Sequence, residues 1–418
     1  MKVIIERLGH LGDGVARGPD GPIYVPGMLP GEEVEGDLQG DHLADFRILT
    51  PSVNRVRPPC AHAKTCGGCM MQHASDAFVA DWKTGIVQGA LAGQGLTATF
   101  RPILTSPPKS RRRATIAARR TKTGALMGFH ARASDMLVSV PHCQLLHPDL
   151  IATFPALEAL VKLGGSRSAE VNLTITRSLS GCDVVVTGGK EADSALQLDL
   201  ARVAETFGIA RLTWNGDTVA LRTLPMQRFG RALVAPPPGA FLQATPEGEQ
   251  ALLRSVALAI GPARKIIDLF AGVGTFALPL AERSEVHAVE GDAAMTAALE
   301  KGARNAEGLK RVTVETRDLF RRPLEPDEFK GIDAVVIDPP RAGAEAQVAA
   351  LAQARVPVIA SVSCNPVTFA RDARVLVAAG YSLDWVQVVD QFRWSSHVEL
   401  VARFVLPTRH TPVEKSVI

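Results

Sequence analysis

Five short runs rich in β-branched residues, KIIDLF, EVHAVE, RVTVE, IDAVVID and VPVIASVS, recur between residues 265 and 363. Helical stretches such as AAMTAALEKGARNAEG separate them. Strands covered on both faces read as unbroken apolar runs, and strands that alternate with helices must return in the same direction. The pattern predicts a doubly wound parallel sheet, a Rossmann-like α/β fold. Such sheets bind ligands outside the carboxyl ends of their strands, so the residues that close these runs are where chemistry is expected. Two last runs, SLDWVQVVD and HVELVARFVL, lie too close for a helical crossover and predict an antiparallel hairpin at one sheet edge.

The first run leads into DLFAGVGTFALPLA, where Gly272, Gly274 and Ala277 match G-x-G-x-x-A. Glycine there permits a tight turn and close backbone approach to a ligand. Glu290 closes the second run and suits ribose hydroxyls, so an adenosine cofactor is expected, either a dinucleotide or S-adenosylmethionine. IDPPRAG then favours the latter. Asp338 begins a loop stiffened by two prolines, which a dinucleotide site does not need and a methyltransferase uses to hold the base being modified.

Cys364, in SVSCNP, closes the fifth run and opens into the same crevice. A methyl acceptor that needs a thiol is carbon 5 of a pyrimidine. Adding a thiolate to carbon 6 makes carbon 5 nucleophilic, and a separate base must then remove the carbon 5 proton. Glu399, in SSHVE on the last hairpin, is the candidate base. A dinucleotide-dependent oxidoreductase and an RNA-binding assembly factor with an inactive methyltransferase fold are the competing readings.

Upstream, residues 1–50 alternate short apolar strands with glycine turns, which predicts a closed barrel of the OB type. Between Trp82 and Ser134 stand ten lysines and arginines and no acidic residue, although the whole chain carries only +3. A block of one sign points to a polyanion, nucleic acid first, with Arg111, Arg112 and Arg113 as phosphate contacts. Cys60, Cys66 and Cys69 are spaced C-x5-C-x2-C, and Cys143 follows in PHCQLL. Four thiolates suit zinc or an iron–sulfur cluster equally, and His62, His73 and His142 keep zinc open. Cys182 reads as core. No stretch offers the ~20 apolar residues of a membrane span and the start is not a secretory signal, so a cytoplasmic protein with no membrane partner is expected. Three regions follow: a barrel over 1–52, a central α+β region over 53–235 and a catalytic region over 236–418.

The ordered set DLFAGVGTF, VEGD, DPPRAG, SVSCNP and DQFRWSSHVE resembles the RNA uracil-5-methyltransferase family. CAHAKTCGGCMMQ and a barrel similar to a TRAM domain extend the resemblance over nearly the whole chain, toward members that methylate 23S ribosomal RNA. The resemblance implies Cys364 as nucleophile and Glu399 as base. It implies that Gln243, Phe270, Gly272, Thr275, Glu290, Asp318 and Asp338 surround S-adenosylmethionine. It also implies that Cys60, Cys66, Cys69 and Cys143 hold a [4Fe–4S] cluster, that RNA is the partner, and that the enzyme is a monomer. Methylation of tRNA uridine 54 by the same chemistry is the alternative substrate. Three positions depart from the family's habit: Thr245 stands for asparagine, Thr275 often for asparagine, and Arg393 for proline.

Overall fold

Glycine turns space the strands Lys2–Leu8, Gly14–Arg17, Pro22–Val25, Glu33–Gln39 and His42–Thr50 closely, and the five close into a barrel. Alternate side chains turn inward, so Val3, Ile5, Val25, Val34 and Leu43 fill the interior. Glu32 is fully buried at the barrel's rim and is met by Arg55 through two nitrogens, at 2.5 and 2.7 Å. That forked ion pair fastens the barrel to the connector behind it. The computed structural model describes residues 1–407; residues 408–418, expected in the catalytic region, lie outside the described residues.

A seven-stranded sheet occupies the middle of the chain. Two hairpins, Arg113–Arg120 with Ala125–His130 and Val171–Ser178 with Gly181–Thr187, form its middle. Helices Phe154–Gly164 and Ser194–Thr206 pack on it through Leu157, Leu160 and Leu200. Cys182 lies in this core, its sulfur 3.1 Å from the Thr153 hydroxyl.

The third sheet has eight strands. In spatial order they are Val312–Thr316, Glu285–Glu290, Lys265–Leu269, Ala334–Ile337, Val358–Ser363, Glu399–Val405, Ser382–Asp390 and Thr99–Thr105. The first five are parallel. Helix Pro246–Ile260 covers one face around Leu252 and Val256. Helices Asp76–Ala92 and Pro366–Ala378 cover the other around Val87, Leu91, Phe369 and Leu376. Among the described residues no helix is long and apolar enough to cross a membrane.

The terminal hairpin forms but does not end the sheet. Thr99–Thr105, from the segment drawn as central, pairs outside it, parallel to Ser382–Asp390. Pro102 explains the position: it has no N–H to give to a further strand, which suits an edge. Its carbonyl instead accepts from the Gln387 amide at 2.6 Å.

Candidate active site

The antiparallel register sets the central geometry. Val358–Ser363 pairs with Glu399–Val405 so that Ser363 faces Leu400. One rung further along the same register stand Cys364 and Glu399, at adjoining strand ends. Asn365 and Pro366 finish the motif by starting the next helix. Asn365 caps it, its Oδ1 accepting from the Val367 N–H at 3.1 Å, and Pro366 sits in the first turn, where no N–H is needed. The Asn365 amide also donates to the Arg341 carbonyl at 2.9 Å, tying the cysteine's turn to the loop that starts at Asp338.

A cavity of about 520 Å³ opens at these strand ends. Gln243, Phe270, Gly272, Glu290, Asp318, Asp338, Cys364 and Glu399 all line it. Thr275 does not; it lies half-buried in the turn behind Gly272. Gly272 has φ 57° and Phe270 has φ 61°, a left-handed backbone that phenylalanine adopts only when its surroundings hold it. The Phe320 ring packs 5.5 Å from the Phe270 ring. Glu290 accepts from the Gly272 N–H at 2.9 Å and from the Asp292 N–H at 3.0 Å, and so braces the glycine turn against the neighbouring strand end.

The wall is acidic. Glu290, Asp318, Asp338 and Glu399 face the cavity, and among the described residues Arg341 is the only lysine or arginine on it. A carboxyl-rich wall with one cation suits a sulfonium better than a pyrophosphate. Burial raises the Asp338 carboxyl to about 7. Burial, then the charge of Asp338, raises Glu399 to about 8, while Gln391 and Arg341 oppose the rise. Burial, then Glu399 and Asp338, raises the Cys364 thiol to about 11. A cation entering among these groups would lower all three.

Phe241, Phe320, Phe392, His397 and Arg341 also line the cavity and escape the sequence reading. Phe241 and Phe320 are 59% and 51% exposed, the kind of surface aromatic that offers a stacking face. No periodicity marks them, because their exposure is a product of the fold.

Cys60, Cys66, Cys69 and Cys143 ring a second cavity of about 450 Å³. Backbone N–H groups of Gly68 and Leu145 donate to the Cys66 and Cys143 sulfurs, each at 3.4 Å. Burial, with the neighbouring thiols, pushes Cys66 and Cys143 upward and Cys69 to about 12. Of the three flagged histidines only His62 lines this cavity. Among the described residues no three His, Cys, Asp or Glu side chains converge as a site for a single ion.

The basic run does not behave as one phosphate-binding face. Arg112 is 5% exposed, ion-paired with Glu249, and its Nε donates to the Gln243 carbonyl at 3.0 Å. The run enters its strand at the seam between the two larger sheets, so the middle arginine is buried there and its charge is met inside. Lys83 is fully buried too, 2.6 Å from Asp390. Arg101, Lys109, Arg119, Lys122 and Arg132 remain exposed. Thr245 caps helix Pro246–Ile260, its hydroxyl accepting from the Gly248 N–H at 2.9 Å, a task asparagine also performs. Arg393 meets Asp76 at 2.5 Å and donates to the Ser106 carbonyl at 3.2 Å.

Known proteins resemble the chain along its length. A family model described as tRNA (uracil-5-)-methyltransferase matches residues 238–404. An RNA methyltransferase of Brucella suis biovar 1, itself described as uncharacterized, is 42% identical over 96% of this chain and 97% of its own. The 23S rRNA (uracil(1939)-C(5))-methyltransferase RlmD of Pectobacterium atrosepticum is 32% identical over 98% of this chain and 94% of its own. The Pyrococcus abyssi tRNA (uracil-54, C5)-methyltransferase, solved with S-adenosyl-L-homocysteine, shares the fold with a TM-score of 0.76 at 23% identity, covering 97% of this chain and 100% of that one. A cysteine at the mouth of an acidic crevice thus belongs to a chain whose relatives match it almost end to end, and the chain is a member of the RNA uracil-5-methyltransferase family, which uses S-adenosylmethionine.

Proposed function

We propose that this protein methylates carbon 5 of a uridine in 23S ribosomal RNA, with Cys364 as nucleophile and Glu399 as base. The observation that carries the chemistry is the pairing of Ser363 with Leu400, whose next neighbours, Cys364 and Glu399, both line the crevice. The 32% identity to the Pectobacterium enzyme supports the ribosomal substrate. S-adenosylmethionine, when bound, supplies an electrophilic methyl carbon, and Gln243, Phe270, Gly272, Glu290, Asp318 and Asp338 would hold it.

The Cys364 thiol gives up its proton to solvent, and the thiolate sulfur bonds to carbon 6 of the uracil. The 5,6 double bond becomes an enolate, and carbon 5 acquires the nucleophilicity to take the methyl group. Glu399 then accepts the proton still on carbon 5. The electrons of that C–H bond re-form the double bond and expel the Cys364 sulfur. The target base must leave any stack to reach the crevice. The barrel, read as a TRAM-like module, and the exposed cations would track the RNA backbone.

Cys60, Cys66, Cys69 and Cys143 would hold a [4Fe–4S] cluster. The donor set fits: four thiols share one cavity, two accept backbone N–H groups, and burial holds three of them protonated unless a cation joins them. When bound, the cluster would cross-link the cysteine loop to the turn at Cys143. In this reading the protein is a cytoplasmic monomer.

The test is methylation with tritiated methyl donor of 23S RNA and of tRNA, both from a deletion strain, followed by nucleoside mapping. Label at a 23S uridine, lost in Cys364→Ala with donor binding kept within a few fold, is the expected result. Label confined to tRNA overturns the ribosomal substrate. Donor binding without label in either RNA overturns the enzymatic reading in favour of an assembly factor.

A further inference from the structure

A buried network of hydrogen bonds ties Gln391, beside the candidate base, to Arg112, which lies outside the crevice. Gln391 is 1% exposed, Gln243 3%, and Arg112 and Glu249 5% each. The Ala244 N–H donates to Gln391 Oε1 at 2.7 Å, which fixes the end of the amide that is oxygen. The nitrogen end then donates to Gln243 Oε1 at 2.5 Å. Val389 pairs with Glu399 across the terminal hairpin, so Gln391, two residues on, lies beside the base's end of the strand, and its amide favours the ionised carboxyl. The backbone that orients Gln391 is itself held. Arg112 gives its Nε–H to the Gln243 carbonyl and its N–H to the Ala244 carbonyl, both at 3.0 Å, while Glu249 neutralises its guanidinium. Behind the amide, Gly248 leaves no spare space: a Cβ there would stand 2.5 Å from Gln391 Cβ.

We propose that Gln391 is the positioning residue for Glu399, and that Arg112 is the strut that keeps Gln391 in place through the backbone of Gln243 and Ala244. The inference rests on the reading of Glu399 as the base. Glu399 must be ionised when the carbon 5 proton leaves, in a place where its surroundings resist ionisation. Asp338, from the loop after Ala334–Ile337, opposes the charge, and Cys364, at the end of Val358–Ser363, opposes it once the thiol ionises. Arg341 favours it from the Asp338 loop, and His397, on the base's own loop, is held toward its neutral form by burial and by Arg341. Gln391 is the neutral donor in this set. Its N–H favours the carboxylate without adding a charge to a crevice that must accept a cation. An amide pinned at both ends also fixes the direction in which the carboxylate faces the carbon 5 proton.

The experiment is single-turnover methylation of RNA tritiated at uracil carbon 5, followed from pH 6 to 9.5. It reads the covalent enzyme–RNA adduct on denaturing gels and the tritium released to water. For Gln391→Leu, adduct should form at close to the wild-type rate. Tritium release should slow roughly tenfold at pH 7 and recover about one pH unit higher. Arg112→Lys, which keeps the charge but loses the fork, should shift release in the same direction by a smaller factor. Release by Gln391→Leu at the wild-type rate and pH profile overturns the proposal, and so does slow release that no rise in pH restores. If Gln391→Leu does not fold, the near-isosteric Gln391→Glu replaces it. Its added charge should move the release profile to higher pH, and an unmoved profile overturns the proposal. Glu399→Gln runs alongside. Normal release there sinks the base assignment itself, whereas a stalled adduct there with normal release in Gln391→Leu sinks only the positioning role.

Discussion

Replacing Glu399 by glutamine should stabilise the protein, and more so as pH rises. The side chain is 4% exposed, and burial, then the Asp338 charge, raises its carboxyl from 4.5 to about 8. In the unfolded chain it titrates near 4.5. Below that pH both states hold the proton and the group has no net effect. Between 4.5 and 8 the unfolded chain releases the proton while the folded one keeps it, so the folded state loses ground steadily. Above 8 the full penalty of an ionised buried carboxylate is present. At about 1.36 kcal/mol per pH unit, that gap is worth roughly 5 kcal/mol at most. Asp338 titrates close by, at about 7, so the two carboxyls share the penalty. Glutamine should therefore add about 2–3 kcal/mol at pH 9 and under about 1 kcal/mol at pH 5. Urea unfolding of wild type and Glu399→Gln at pH 5, 7 and 9 reads this directly, as the shift in midpoint at constant slope. An equal effect at pH 5 and pH 9, or a loss of stability at pH 9, refutes the reasoning.

Three further outcomes are expected. Lys83→Met strands the Asp390 carboxylate beneath the catalytic loop and should cost about 3–5 kcal/mol; the double variant Lys83→Met/Asp390→Leu should recover most of it in the same denaturation assay. Gly248→Ala would stabilise an open helix by about 1 kcal/mol, but against Gln391 at 2.5 Å it should destabilise by about 1–3 kcal/mol, so a raised melting temperature would contradict the packing. Cys66→Ser or Cys143→Ser should lower bound iron and visible absorbance in anaerobically purified protein, and unchanged iron content in both would remove these thiols from the ligand set.

The parallel sheet was legible because strands covered on both faces carry their burial in composition. Ala334–Ile337 is AVVI with every residue buried, and the residues that end such strands follow from the topology. Thr99–Thr105 was not legible. TFRPILT contains a proline and no fully buried residue, and its partner strand is Ser382–Asp390, near the far end of the chain. Arg112, expected to contact phosphate, was misread for a related cause. A run of cations advertises charge, but whether a carboxylate meets each one inside depends on where the sheets join. Thr275 follows Gly274 in the glycine motif, yet the turn carries it behind the crevice wall. Cys60, Cys66, Cys69 and Cys143 line one cavity, but their spacing in the sequence says nothing of whether the sulfurs converge on one ion.

The direction of the Glu399 strand sets which segments can brace the candidate base. Parallel strands deliver Glu290, Asp338 and Cys364 to the crevice at their carboxyl ends, each at or just past the last residue of its strand. The antiparallel strand delivers Glu399 at its amino end, so the loop before it, residues 391–398, must form part of the wall. That loop is held from three sides. Lys83 grips Asp390 and the Phe392 carbonyl from below, at 2.6 and 3.1 Å. The Met70 and Met71 N–H groups both donate to the Trp394 carbonyl from the cysteine segment, at 2.7 and 3.0 Å. The Arg111 guanidinium lies 5.9 Å from the Phe392 ring centre. Phe392, Arg341 and His397 line both cavities. A base at the carboxyl end of a parallel strand would have led directly into a helix. Placed at the start of an antiparallel one, it follows a loop that helix Asp76–Ala92, the cysteine segment and the entry to the central sheet all reach.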